Sequence, residues 1–161
     1  MIARQPALPC EFTLPGLKTD ANAVSHYANR FARMGAAEKQ RAQTAGGCIA
    51  YGAKATGLPC GEAEQALARV ARRRGLLITM TRVSPSSIYP DAQNIPGALK
   101  HVIDGFASWL GLDDRDPGLF WAFRAERTKR GAVDRWAVRI RLEMVPPGQP
   151  RVVVLDPAVR P

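Results

Sequence analysis

The segment from Asp91 to Asp116 sets carboxylates at both ends of a helical pattern that carries a single lysine, Lys100. Phosphodiester hydrolysis can be served by those residue types: carboxylate oxygens hold a hard divalent ion that activates water, and a cation sits near the leaving oxygen. Asp91, Asp113, Asp114 and Asp116 are the candidate ligands, and Lys100 is the candidate cation. The same residues have a structural reading, in which aspartates cap helix ends and turns and Lys100 pairs with Asp104 at i, i+4 on a solvated face. The pattern alone leaves both readings open. Five acids against two bases give the segment a net charge of −3, so with +9 for the chain the remainder carries +12.

An acidic pocket in a basic chain suggests chemistry on a polyanion. A sequence pI near 10.2 fits a nucleic-acid, ribosomal or anionic-membrane partner, since each neutralised phosphate releases a condensed counterion. The plainer alternative is charge that serves solubility. Arg72, Arg73 and Arg74, with the second group Arg124, Arg127, Lys129 and Arg130, are the best phosphate-contact candidates, because several charges can converge on one backbone; Arg30, Arg33, Lys39 and Arg41 rank behind them. Trp109, Trp121 and Trp136 could stack on unpaired bases, but their apolar phase favours core packing. His26 and His101 are too isolated to form a ligand set, and Cys10, Cys48 and Cys60 lack both zinc-site spacing and the density of a disulfide scaffold. The N-terminal MIARQPALPCEF has no apolar signal region and no apolar run is long enough to span a bilayer, so the expectation is a soluble cytoplasmic protein without a membrane partner.

The elements that must position these residues can be read from periodicity. Glu11 to Leu14 predicts a strand running into a Pro15-Gly16 turn, followed by a polar loop with Asn22, His26, Asn29 and Arg30 that could touch a ligand. Met34 to Lys54 favours helix, with a weak point at Gly46-Gly47, and Gly57-Leu58-Pro59 should end it. Glu62 to Arg74 has a helical apolar face, with Gly75 as a left-handed cap, and Leu76 to Val83 alternates as a strand. A helix should start at Asn94 as N-cap, carry the stripe Leu99, Val102, Ile103, Phe106 and Leu110, and stop at Gly111. Leu119 to Arg127 and Arg135 to Met144 read as two strands of a hairpin turning near Gly131. The order is that of one α+β domain over residues 1–145, a small mixed sheet with helices packed on it, followed by a Pro-rich tail, 146–161, in which Val152 to Leu155 could add an edge strand.

Asp91-x-x-Asn94, then Ala98-Leu99-Lys100, Asp104 and the block Leu110-Gly111-Leu112-Asp113-Asp114-Arg115-Asp116-Pro117 resemble the signature of RusA-like Holliday junction resolvases, especially those carried by phages and prophages. That signature runs D-x-D-N, then K, x-x-x-D and L-x-x-D-D, and the likeness extends from about Phe12, with Thr13-Leu14-Pro15 and Asn22 similar to the opening strand and loop, to Met144. The resemblance implies a dimeric RusA-like fold and a Mg²⁺-dependent (or Mn²⁺-dependent) endonuclease that nicks four-way DNA junctions symmetrically in recombination and repair, within a bacterial or phage-infected cell. It assigns catalysis to Asp91, Lys100 and Asp114, metal binding to Asp91, Asp114 and Asp113, and supporting roles to Gln93, Asn94 and Asp104. The motif reads D-A-Q-N here: Gln93 stands where the family has its second aspartate, and an amide offers a neutral oxygen but no charge for the ion. Two outcomes follow, a weakened nuclease or a junction-binding protein that no longer cuts.

A helix from Ile95 to Leu110 would be about 24 Å long at ~1.5 Å per residue, holding Asp91 and Asp114 apart within one chain. An antiparallel dimer would bring them together between subunits, with Leu99, Val102 and Phe106 near the seam.

Overall fold

The computed structural model describes residues 2–19, 30–85, 94–128, 131 and 135–155, and for 30–33 the backbone only. Asn22, His26, Asn29, Asp91, Gln93, Lys129 and Arg130 lie outside these residues. The elements, in chain order, are strand β1 (Cys10–Pro15), helix α1 (Arg30–Gly47), a π turn (Cys48–Gly52), α2 (Ala53–Thr56), α3 (Glu62–Arg74), β2 (Leu76–Ser84), α4 (Ile95–Ala98), α5 (Lys100–Trp109), β3 (Leu119–Arg127), β4 (Ala137–Met144) and β5 (Val152–Val154). The fold is α+β with a mixed five-stranded sheet in the order β1-β4-β2-β3-β5.

Strand β2 organises the sheet. Leu76, Ile78 and Met80 are fully buried on one face, while Leu77 and Thr81 are nearly so on the other, as suits a central strand. It pairs in parallel with β3, Leu76 opposite Leu119, and antiparallel with β4, Ile78 opposite Leu142. The expected β3–β4 hairpin is therefore wrong: β2 lies between the two strands. Alternation fixes which face a residue takes and says nothing about its strand's neighbour. The connection through 128–136 skips one strand width on each side, roughly 10 Å, which nine residues span easily, and Thr128 anchors its start by donating its N–H to the Ser84 carbonyl.

Strand residues in phase with Phe12, Ile78, Phe123 and Ile140 share one core with the apolar faces of α3 and α5. α3 has the limits expected from its sequence, but Gly75, at φ +82° and ψ 140°, turns straight into β2 rather than forming a left-handed helical cap. The helix through Gly46-Gly47 does not break there: it continues as the π turn, and a Cβ on Gly47 would overlap the Leu14 side chain, so this glycine lets the helix cross close over β1. The expected continuous helix from Asn94 is split at Leu99, whose φ of −100° and ψ of 4° follow the weak Ile95-Pro96-Gly97 turn, and Asn94 makes no side-chain cap. Leu99, Val102 and Phe106 are wholly buried in the chain's own core, so they cannot form a subunit seam. Trp109 and Trp121 are also core, each meeting Phe106 edge-on at 5.7 and 6.0 Å between ring centres. β5 extends the sheet beyond β3, held by Trp121 N–H to the Arg151 carbonyl and Leu155 N–H to the Phe123 carbonyl. No described helix is long and apolar enough to cross a membrane.

Candidate functional site

Lys100 opens α5, one turn before Asp104, so their side chains share a face; its ammonium donates to Asp104 Oδ1 at 2.8 Å. A second donation, to Asp114 Oδ2 at 2.9 Å, joins residues 14 apart in sequence. After α5 the chain reverses at Gly111, φ +66°, and Leu112 N–H bonds to the Ala107 carbonyl, which folds the acidic block back along the helix. The difficulty of such a return within one chain was the reason for expecting sites shared between subunits, and on the Asp114 side that reason fails.

The returning loop is fixed by its own polar groups. Asp113 Oδ1 accepts from Arg115 N–H at 2.8 Å, Asp116 Oδ1 accepts from Gly118 N–H at 2.9 Å, and the Trp121 indole donates to the Asp114 carbonyl at 3.2 Å. Arg151 donates to the Asp116 carbonyl at 2.8 Å. Gly118 packs so tightly on α3 that a Cβ there would overlap the Ala71 carbonyl, so the acidic loop and the arginine-bearing end of α3 are in direct contact. Asp104, Asp113 and Asp114 line one open hollow of about 370 Å³. Asp116 does not line it; its carboxylate caps the turn instead, which is the structural role weighed for such aspartates.

Hydrogen bonds donated to Asp104, then to Asp114, push the Lys100 ammonium above its ordinary range, and the Lys100 hydrogen bond holds the Asp114 carboxyl below the usual carboxylate value. His101, beside Lys100, has Nδ1 buried without a hydrogen-bond partner among the described residues, 3.9 Å from Asp104 Oδ2. Burial, then the Arg41 charge, lower its pKa and favour the neutral ring.

These residues do not by themselves fit a divalent ion. Asp104 and Asp114 converge on the Lys100 ammonium, Asp113 is engaged by Arg115 N–H, and among the described residues no three His, Cys, Asp or Glu side chains group as a metal site.

The basic candidates separate into different surfaces. Arg124 is exposed on the sheet face away from the core, where it lines a trough of about 380 Å³ with Arg139 and Arg141. Arg127, three residues along the same strand, falls on the opposite face by the twofold period, so the two do not form the expected group. Arg139 is bound to Glu126 at 2.8 Å and Glu11 at 3.5 Å, and Arg141 to Glu143 at 3.5 Å. On α3, Arg72, Arg73 and Arg74 are all exposed, but only Arg73 and Arg74 turn toward a cleft beside the N-terminal segment.

Arg82 escaped the sequence reading. It is 2 % exposed on the core side of β2, donating Nε to the Thr19 carbonyl at 2.8 Å and a terminal nitrogen to Ser84 Oγ at 2.9 Å, with its guanidinium 5.1 Å from the Trp136 ring centre. Its position in phase with Leu76, Ile78 and Met80 was the available signal: a charge on an apolar stripe is buried with partners or the stripe ends. Among the cysteines, Cys48 is buried, which pushes its thiol well up, and none is in a disulfide.

No family model, curated protein or solved structure matches this chain.

Proposed function

We propose that the chain is a RusA-like, structure-selective DNA endonuclease that nicks four-way junctions in recombination and repair. The observation that carries this reading is the Lys100–Asp114 contact: two separated blocks of the resolvase-like signature meet at one ammonium, with Asp104 of the same signature on its other side. In this reading Lys100, held protonated by its two carboxylates, is the cation that faces the scissile phosphate, and Asp104 and Asp114 orient it. Gly118 and Arg151 keep the acidic loop in place against α3. Magnesium or manganese is the ion the resemblance implies, and since the described carboxylates do not suffice, its site would have to be completed from the segment carrying Asp91. A homodimer belongs to the same proposal, because two equivalent sites match a junction with twofold symmetry.

A second reading, junction binding without cutting, is favoured by Gln93, which lacks the charge of the aspartate it replaces. The two separate on a labelled four-way junction titrated with Mg²⁺ or Mn²⁺, using the natural chain and Gln93→Asp. Paired nicks from the natural chain, increased in Gln93→Asp, support the nuclease. A retarded but intact junction with the natural chain supports binding alone, and equal metal curves for both forms would remove residue 93 from the metal site.

A further inference from the structure

The residues Ala66, Arg69, Val70, Arg73 and Arg74 recur at helical spacing along one side of α3, and this side forms a wall of a cleft of about 520 Å³. The opposite wall is the N-terminal segment. That segment is seated on the domain: Pro6 is buried, Ala7 N–H bonds to the Thr56 carbonyl at 2.9 Å, and Leu8 packs against the core. It thereby brings Arg4 to the same cleft as Arg69, Arg73 and Arg74.

Placing four guanidinium groups around one cleft is unfavourable unless something negative offsets them, because like charges at i, i+4, as in Arg69 and Arg73, repel. The offset inside the chain is slight. Arg4 reaches Glu62 only at 3.9 Å with both side chains largely exposed, and Arg69, Arg73 and Arg74 have no carboxylate within salt-bridge reach among the described residues. The negative end of the helix dipole accounts for cations in the last turn, but not for Arg69 a turn earlier or for Arg4 on another segment. Between the guanidiniums the cleft is apolar, with Leu8, Val70 and Met144 in its lining, and Met144 is 49 % exposed although it ends a strand whose other core-phase residues are buried. A guanidinium rim over an apolar floor suits a ligand with an anionic group on a flat apolar body, and a cleft of this volume is in the range that holds one small molecule.

We propose that this cleft is a nucleotide-binding site: Arg69, Arg73 and Arg74, with Arg4, take the phosphate, and the base lies over Val70 and Met144. A nucleotide within a DNA strand and a free nucleoside phosphate share this chemistry. The strand is the expected source, and that choice alone rests on the DNA reading above.

Arg72 provides the control, since it carries the same charge on the same helical turn but does not line the cleft. Binding of a 5′-phosphorylated, fluorescein-labelled oligothymidylate and of a labelled four-way junction is measured by anisotropy for the natural chain, Arg72→Ala, Arg73→Ala and Arg69→Ala, with circular dichroism to verify the fold and dTMP and ATP as competitors. The site requires a loss of about tenfold for Arg73→Ala and Arg69→Ala against about twofold or less for Arg72→Ala. Competition by micromolar dTMP or ATP assigns the site to free nucleotides; competition only by the oligonucleotide assigns it to a strand. Equal losses for Arg72→Ala and Arg73→Ala, with the junction still bound, overturn the cleft and leave the DNA reading standing. Binding of free nucleotide without any junction binding does the reverse.

Discussion

The strand arginines and the helix arginines of this protein look alike in sequence and differ in what surrounds them. On the outer sheet face Arg139 and Arg141 each reach a glutamate within 3.5 Å, so their charge is largely offset in place. On α3, Arg69, Arg73 and Arg74 share a cleft with a fourth arginine and have no such partner among the described residues. The acidic hollow follows the strand rule, with Lys100 held between two carboxylates. Among these arginines the charge is thus unevenly available: that of Arg139 and Arg141 is internally paired, and that of Arg69, Arg73 and Arg74 beside α3 is not.

The largest expected effect tests that contrast. Replacing Arg69, Arg73 and Arg74 together by alanine should lower the slope of log affinity against log salt by roughly 2 to 3 for junction DNA, since each lost phosphate contact removes about 0.9. Replacing Arg139 and Arg141 removes nearly as much charge and should leave the slope almost unchanged. Equal changes for the two sets would mean that the glutamate partners do not matter.

Gly118→Ala comes next. Its Cβ would overlap the Ala71 carbonyl, so α3 and the acidic loop must separate, at a cost of about 1–3 kcal/mol by analogy with overpacked cores. Thermal or urea unfolding measures it. An unchanged midpoint would show that the loop is not pressed against α3.

The smallest effect concerns the ion pair itself. Asp114 has a lowered folded pKa, so its contribution is present above the unfolded carboxylate value near 3.9 and is lost as pH falls through the folded value. Lys100, raised by Asp104 and then Asp114, stays charged across that window. With Lys100 about half exposed, Asp114→Asn should lose no more than about 1 kcal/mol at neutral pH. The gap between variant and natural chain in urea unfolding should narrow as the pH falls below the unfolded carboxylate value; a gap that does not narrow on acidification would assign it to packing.

Periodicity made much of the architecture readable, because burial on one face imposes it directly: α3 over Glu62–Arg74, the alternation of Val138, Ile140 and Leu142, and the stripe on α5 stand as the sequence suggested. Neighbour relations were not readable, since β2 separates the strands taken for a hairpin, and the same blindness grouped Arg124 with Arg127 across the sheet. In the site, Lys100 with Asp104 was legible as a local helical pair. Asp114 joined them only through a chain reversal at Gly111, and Arg82 was hidden by reading β2 for its apolar residues alone.

The central claim, that Lys100 and Asp114 serve one phosphodiester-cleaving site, is tested most directly by mapping strand breaks in an end-labelled four-way junction, with the matching linear duplex alongside, for the natural chain, Lys100→Met and Asp114→Asn in Mg²⁺ or Mn²⁺. The expected result is paired, symmetry-related nicks by the natural chain on the junction only, abolished in both variants while the junction is still retarded. An intact junction with the natural chain under both metals, or equal nicking by all three proteins, would contradict it.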